Sequence, residues 1–162
     1  MLILLIVLLV IFGLFAFVVA VGAPYLPTQN QQREAALDLL DLKKGQLLCD
    51  LGCGDGALLL AAAGRGIRAV GYEINPLLVL VTWLRGRRYR GLVQVHWANF
   101  WHADISDADA VFVFLIDHHM RHLDSYMNAQ FSGKSVKLAS YAFLVPGRQP
   151  AAKSHGVFLY KY

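Results

Sequence analysis

The chain has 162 residues, 57% of them hydrophobic, and a formal net charge of +4 at pH 7. Beyond an apolar start, the remaining length is enough for one compact domain and too short for two. Its basic residues form only one short cluster and accompany no recognition module, which argues against a nucleic-acid partner.

The first 22 residues predict a membrane-spanning helix. They comprise 20 apolar residues and two glycines, and as a helix they would extend about 33 Å, enough for a hydrocarbon core of roughly 30 Å. A cleaved signal peptide is the alternative, but a basic start and a good cleavage site are missing. All 15 Lys and Arg residues follow the segment, so the positive-inside rule places them in the cytoplasm. We expect a single-pass protein, anchored in the bilayer through residues 1–22, with one cytoplasmic domain over residues 23–162.

A Pro-Tyr-Leu-Pro-Thr segment follows the predicted anchor. Pro24 and Pro27 impose an extended backbone, so the segment is either a stiff linker, which the residues alone favour, or a flap over a ligand. Thr28 and Gln31 have the spacing of a capping box and predict a helix start, with a stop at Gly45.

The next stretch predicts a buried strand, a glycine-rich turn and an apolar helix, an arrangement that lets backbone amides approach a small polar ligand. Gly52, Gly54 and Gly56 keep side chains out of the turn and permit positive φ. With Ala57, they also satisfy the spacing of dinucleotide-binding folds, so the glycines alone do not identify the ligand. Asp50 at the strand end would repel a pyrophosphate, whereas it suits a ligand with an ammonium and a sulfonium.

A second strand is predicted over Arg68 to Glu73. Because consecutive parallel strands end at one edge of the sheet, we expect Glu73 beside the glycine turn, where it can accept hydrogen bonds from two ribose hydroxyls. Asn75 and Pro76 predict the start of another helix. That helix ends in an arginine cluster after Trp83, and the cluster is either a solvated helix end or a contact with anionic headgroups.

The third predicted strand, Leu92 to Trp97, is followed by Asn99 and Phe100. An amide and an aromatic ring at this edge can read and stack on a purine, and ordinary loop packing is the alternative. A fourth strand, Asp109 to Ile116, is a nearly continuous apolar run typical of the centre of a parallel sheet, and Asp117 follows it.

His118 and His122 are four residues apart and could share one helix face. No glutamate completes a zinc motif and no third ligand is evident, so we predict a helix start and no metal. Cys49 and Cys53 have a spacing that fits neither a redox pair nor a zinc site, and we expect free thiols.

Two late strands complete the pattern, Val136 to Val145 and Gly156 to Tyr162. Strands that alternate with helices and end in such a pair predict an α/β fold. We expect a Rossmann-like, doubly wound sheet that is mostly parallel, with an antiparallel C-terminal edge and one preceding transmembrane helix.

The segments Asp50–Gly56 and Gly71–Pro76 resemble motifs of class I, seven-β-strand methyltransferases that use S-adenosylmethionine. With the apolar start and the Asn-Phe-Trp after the third strand, the chain is similar to the membrane-anchored protein-lysine methyltransferases of the adenine nucleotide translocase and the ATP synthase c subunit. The resemblance implies S-adenosylmethionine as cofactor and a lysine of a protein at the membrane as methyl acceptor.

The resemblance also implies roles for individual residues. Asp50 would face the amino group of the cofactor, Glu73 would hold its ribose, and Asn99 would stand where the family usually has an Asp beside the adenine. Asp117 would lie at the methyl acceptor, where it or a neighbouring histidine could orient the amine or take its proton. The implied cofactor-binding residues are Pro24, Tyr25, Thr28, Asp50, Gly52, Gly54, Gly56, Glu73, Asn99 and Phe100.

Two other functions stay open on the sequence. One is methylation of a lipid or a small hydrophobic molecule. The other is a nucleotide-binding module of the NAD type that retains the fold without the chemistry.

Overall fold

The computed structural model describes residues 29–89 and 91–162, and nine of the first 13 residues. Seven strands and four helices form the domain in the described part of the chain, together with three short 3-10 turns. In chain order the elements are α1 Asn30–Leu40, β1 Leu47–Leu51, α2 Ala57–Gly64, β2 Arg68–Glu73, α3 Pro76–Gly86, β3 Val93–Trp97, β4 Ala110–Val113, α4 Met120–Gln130, β5 Lys137–Tyr141, β6 Ala152–Ser154 and β7 Val157–Lys161.

All seven strands belong to one sheet in the order β3-β2-β1-β4-β5-β7-β6. The first five strands of this order are parallel, and β7 runs antiparallel to both β5 and β6. The predicted α/β sheet with an antiparallel C-terminal edge is therefore confirmed. Because β2, β1 and β4 are adjacent and parallel, their carboxyl ends lie at one edge of the sheet. Ligands bind at this edge in folds of this kind.

The two faces of the sheet carry separate apolar cores. On one face α1 and α2 pack against side chains such as Leu48 and Phe112. On the other, α4 packs against the alternate residues, such as Leu51 and Val113, because successive strand side chains point to opposite faces. The sheet is thus covered on both faces, as a doubly wound fold requires.

Several element boundaries differ from the prediction for physical reasons. Strand β4 ends at Val113 rather than Ile116, because its partner in the ladder, Leu51, is the last residue of β1 before the glycine turn. Helix α1 stops at Leu40, before Gly45, since Asp41 adopts a left-handed conformation with φ of 44°, which Asp tolerates better than most residues. The unpredicted strand β6 is held by its pairing with β7.

The predicted single-pass membrane location, with a cytoplasmic catalytic domain, is wrong. Within the residues that the structure describes, no helix has the length and apolar character needed to cross a bilayer. Helices α1, α3 and α4 have 11 residues each, equivalent to about 16 Å. Most of residues 1–22 lie outside the described part of the chain.

Candidate functional site

The candidate site lies where β1 and β2 end side by side. Asp50 in β1 is paired in register with Gly71 of β2, and Glu73 is the last residue of β2. Both carboxylates are buried, with 4% of Asp50 and 9% of Glu73 exposed. Two acidic side chains therefore share one largely desolvated region beside the glycine turn.

The carboxyl of Asp50 has a strongly raised pKa. Burial raises the pKa of its carboxyl to about 8, and the nearby charges of Glu73 and Asp55 add to this increase. A neutral carboxyl is the favoured form because water is excluded and like charges are close. A positively charged group placed beside Asp50 would reverse this preference and stabilise the carboxylate.

Glu73 fixes the glycine turn and the start of α3 at the same time. Its Oε2 accepts a hydrogen bond of 3.0 Å from the amide of Gly54, and its Oε1 accepts one of 2.8 Å from the amide of Asn75. Since a carboxylate oxygen can accept two hydrogen bonds, each oxygen keeps capacity for a ligand hydroxyl. The residue can therefore hold the protein and a ligand together.

Four of the five amides of residues 52–56 are already engaged within the protein, which corrects the expectation that the amides of this turn would meet the ligand. Gly52 and Cys53 donate to the carbonyl of Tyr72 at 2.9 and 3.0 Å, and Gly56 donates to Cys53 at 2.9 Å. Ala57, at the start of α2, donates to the side chain of Asp55 at 3.2 Å. A pyrophosphate would thus meet carboxylates rather than donors here, and the turn is unlike a dinucleotide site.

The glycines of the turn serve different purposes. Gly52 has φ of +86° and only open space where a Cβ would stand, so a ligand can approach its backbone. Gly56 has φ of +75°, and a Cβ there would collide with Cγ2 of Thr82. The Oγ1 of Thr82 in turn donates to the carbonyl of Gly54 at 3.0 Å. Gly56 is therefore required for packing of α3 on the turn.

Sequence reasoning missed Thr82 and Arg85. Thr82 is fully buried, and Arg85 forms an ion pair with Asp55 and also donates to its carbonyl at 2.8 Å. Both lie on α3, close to 30 residues from their partners along the chain. The sequence carries one signal for the contact of Thr82. It is a threonine within an apolar helix, and a buried hydroxyl needs a hydrogen-bond partner.

Cys49 and Cys53 are free and buried. Burial raises the pKa of both thiols, and the neighbouring carboxylate of Asp50 raises them further. Neutral, enclosed thiols are poor nucleophiles. Their contribution is packing, since a Cβ on Gly71 would lie 2.5 Å from Sγ of Cys53.

Asn99 and Phe100 continue the site beyond β3. The amide of Ala98 donates to the carbonyl of Glu73 at 3.1 Å, so this segment lies against the end of β2. The Oδ1 of Asn99 accepts a hydrogen bond from the amide of Trp101, and the side chain is exposed. Its amide group can still donate to a ligand. The hydroxyl of Tyr126 donates to the carbonyls of Phe100 and Ala103, which holds the segment in place.

Asp117 follows β4 at the same edge of the sheet and begins a 3-10 turn, Asp117–His119, with its side chain exposed. The His118 and His119 rings lie 3.9 Å apart, and His122 stacks on Trp101 at 4.1 Å. This stack joins the loop after β3 to the first turn of α4, a contact that the sequence did not indicate. Burial, then the two neighbouring imidazoles, lower the pKa of His119.

Two further sequence expectations concern metal binding and the proline segment. Among the described residues, no group of three or more His, Cys, Asp or Glu side chains is arranged to hold a metal ion. Pro24, Tyr25 and Thr28 lie outside the described part of the chain. Helix α1 has Gln29 as its N-cap, one residue after the predicted Thr28.

The sheet order, the acidic strand ends and the glycine turn define a seven-strand, Rossmann-like domain of the methyltransferase type. Residues 50–152 match the family model of the ANTKMT methyltransferase domain, and the chain belongs to this family. The resemblance stated from the motifs is thereby confirmed.

Named relatives agree with this membership. The chain is 34% identical over 132 residues to the adenine nucleotide translocase lysine N-methyltransferase of Mus musculus, covering 80% of this chain and 57% of that protein. It is 31% identical over 118 residues to the Homo sapiens lysine N-methyltransferase of the ATP synthase c subunit. This match covers 72% of this chain and 50% of that protein. The chain thus spans about half the length of these curated relatives.

A solved structure is similar over nearly its whole length. The RNA methyltransferase from Salinibacter ruber, crystallised in complex with S-adenosyl-L-homocysteine, has a TM-score of 0.76 and 27% sequence identity. The match covers 85% of this chain and 92% of that chain.

The first prediction separates the two glycines. Gly52→Ala and Gly56→Ala both place a side chain at positive φ, which costs about 1–2 kcal/mol. Only Gly56→Ala also collides with Thr82, so we expect it to lose a further 1–3 kcal/mol or so of unfolding free energy. Urea unfolding of the two variants measures the difference, and equal losses would contradict the assigned packing role.

The second prediction concerns the hydrogen bonds of Glu73. Glu73→Gln replaces one accepting oxygen by an amide that must face a backbone donor, so we expect a loss of about 1–3 kcal/mol at neutral pH. Relief of repulsion with Asp50 does not offset this, because Asp50 is mostly protonated there.

The matched control is Glu34→Gln. Glu34 is exposed and pairs with Arg65, and its replacement is expected to change stability by no more than about 0.5 kcal/mol. Denaturant unfolding of both variants at neutral pH is the measurement. If Glu73→Gln were as stable as the control, its two backbone bonds would not hold the turn.

Proposed function

We propose that this chain is an S-adenosylmethionine-dependent methyltransferase that transfers a methyl group to the side-chain nitrogen of a protein lysine. The observation that carries the proposal is the burial of the Asp50 carboxyl, with its raised pKa, beside a glycine turn in which four of the five amides are already engaged. Such a site suits a cationic cofactor and disfavours a pyrophosphate. Membership of the methyltransferase family supports the same conclusion.

The residues fit S-adenosylmethionine group by group. Asp50 would pair with the ammonium, and the open backbone at Gly52 would accommodate the methionine portion. Glu73 would accept hydrogen bonds from the ribose hydroxyls with the capacity left on its oxygens. The amide group of Asn99 would donate to the adenine, against which Phe100 would pack.

S-adenosylmethionine supplies a methyl group on a positively charged sulfur. The chain's own contribution is to align an acceptor nitrogen with that methyl group and to exclude water. A lysine amine has an unperturbed pKa of about 10.4, so it must lose a proton before it can attack. The loop after β4 would receive the lysine.

Asp117 is the proposed positioning residue for the amine. It is exposed at the sheet edge and can accept hydrogen bonds from an ammonium or amine. His119, whose pKa is lowered by burial and by the neighbouring imidazoles, lies in the same turn and can accept a hydrogen bond through its neutral imidazole form. Full turnover by Asp117→Ala would remove this role.

A protein lysine is the proposed acceptor because the two named mammalian relatives are lysine N-methyltransferases of proteins. One competing acceptor is a lipid or a small hydrophobic molecule. The other is RNA, because the similar protein from Salinibacter ruber is an RNA methyltransferase. A labelled methyl group would distinguish these acceptors, because it would appear in protein, in lipid or in RNA.

The third prediction tests the cofactor site through Asp50. Asp50→Asn removes the charge that pairs with the ammonium, and truncating a buried charge pair of this kind weakens binding by roughly 30-fold or more. Calorimetric titration with S-adenosylmethionine measures the loss. Asp107→Asn, which removes an equal charge from an exposed residue, should bind as the unmodified protein does, and similar affinities for both variants would contradict the assignment.

The same variant should change how stability depends on pH. The folded pKa of Asp50, about 8, lies above its unfolded value of about 3.9. The folded state therefore holds the proton more tightly, and its stability falls as pH rises from about 4 to about 8. We expect unliganded Asp50→Asn to be more stable than the unmodified protein above pH 8 or so, with the gap closing in acid. Urea unfolding at several pH values measures this difference in stability, and a difference that stays constant between about pH 4 and about pH 8 would contradict the raised pKa of Asp50.

The fourth prediction tests the reaction. The purified chain is incubated with methyl-labelled S-adenosylmethionine and a cell extract, which is then separated into protein, lipid and RNA. Label is expected in protein, as methylated lysine after acid hydrolysis, and Asp50→Asn should abolish it while Asp107→Asn retains it. Label confined to the lipid or RNA fraction would contradict a lysine acceptor.

A further inference from the structure

Helix α3 exposes an apolar face to solvent. Leu77, Leu80, Val81 and Leu84 recur at helical spacing, and 39–51% of each side chain is exposed. The opposite face is buried through Thr82 and Gly86, which pack on the glycine turn and on β3. The apolar stripe is therefore on the outer side of a helix whose core-facing side is already occupied.

Two tryptophans extend this face to the sheet edge. Trp83 is 54% exposed and Trp97, at the end of β3, is 70% exposed. The Nε1 of Trp97 donates to the carbonyl of Ile74 at 3.0 Å, so the ring is held in place by a hydrogen bond. Between α3 and β3 lies a shallow groove of about 220 Å³, lined by Pro76, Val79, Leu80, Trp83, Val95 and Trp97.

Arginines border the apolar face at the C-terminal end of α3. Residues 74–103 contain no Asp or Glu, and their four basic residues are arginines between positions 85 and 90. Arg85 is paired with Asp55, whereas Arg87 and Arg88 are exposed. The guanidinium of Arg87 lies 5.3 Å from the centre of the Trp83 ring. Apolar, aromatic and cationic groups thus adjoin on one surface.

We propose that this surface, formed by α3, Trp97, Arg87 and Arg88 and called here the α3 surface, docks on an anionic phospholipid bilayer. Exposed leucines would enter the acyl boundary, the tryptophans would lie at headgroup level, and the arginines would meet lipid phosphates. This is a peripheral contact of the folded domain, in which α3 lies along the membrane.

The charge of the α3 surface favours a bilayer over a second copy of the chain as its binding partner. Two α3 surfaces packed on each other would bring together arginines from both copies, with no acidic residue in this segment to pair with them. An anionic bilayer supplies the missing negative charge. Because α3 begins three residues after Glu73, docking would also hold the cofactor edge near the lipid.

The fifth prediction uses the three tryptophans of the chain, Trp83, Trp97 and Trp101, as lipid probes. Trp101 is not on the α3 surface, because its ring stacks on His122 of α4. The 162-residue chain is mixed with vesicles of phosphatidylcholine and phosphatidylserine that contain bromine-labelled acyl chains. The apolar first 22 residues contain no tryptophan, so quenching reports only on the folded domain.

We expect Trp101→Phe, which keeps the two surface tryptophans, to be quenched by these vesicles. The variant Trp83→Phe/Trp97→Phe, which keeps only Trp101, should not be quenched. Quenching of Trp101 alone, or of none of the tryptophans, would overturn the proposal. Concentration-dependent dimers that Leu80→Ser/Leu84→Ser abolishes, without any quenching, would assign the surface to a second copy and likewise overturn it.

The charge contribution has its own control. Arg87→Gln/Arg88→Gln should weaken vesicle binding roughly fivefold for each arginine. Lys153→Gln/Lys161→Gln removes the same charge from exposed residues at the opposite sheet edge and should bind as before. S-adenosylmethionine binding by each variant verifies folding separately from docking. Equal losses for both pairs, or equal binding to vesicles of phosphatidylcholine alone, would contradict recognition of an anionic bilayer.

Discussion

The interaction on which the site depends is the pair of hydrogen bonds from Gly54 and Asn75 to the carboxylate of Glu73. Through them one side chain joins the end of β2, the glycine turn after β1 and the start of α3. Thr82 completes the arrangement from the other side, since its hydroxyl binds the same turn. The turn is therefore rigid before a ligand arrives, and pre-organisation of this kind lowers the entropy lost on binding.

That rigidity has an electrostatic consequence. Two carboxylates, Asp50 and Glu73, are buried within one region, and burial of like charges opposes folding. The protein relieves the conflict by keeping Asp50 protonated. A cationic ligand would relieve it differently, by neutralising the carboxylate, so the same feature that disfavours the unliganded state favours binding of a positive charge. Natural proteins often accept such local instability at functional sites.

The sequence predicted the parts of this structure that depend on local pattern and strand order. The parallel strands, the antiparallel edge and the position of Glu73 beside the turn follow from apolar periodicity and from the common edge at which parallel strands end. The occupied amides of the turn and the Trp101–His122 stack were not accessible, because each depends on a register between distant segments. The membrane span was inferred from the length of the uncharged apolar run over residues 1–22, and most of that run lies outside the part of the chain that the structure describes.

The most direct measurement of the central claim is the number of protons released when S-adenosylmethionine binds at neutral pH. Calorimetry in two buffers of different ionisation enthalpy gives this number. Because Asp50 is largely protonated in the unliganded protein and would become a carboxylate beside the ammonium, we expect release of about one proton. Binding without proton release, or binding of NAD with comparable affinity, would show that the carboxyl of Asp50 does not receive the cationic cofactor.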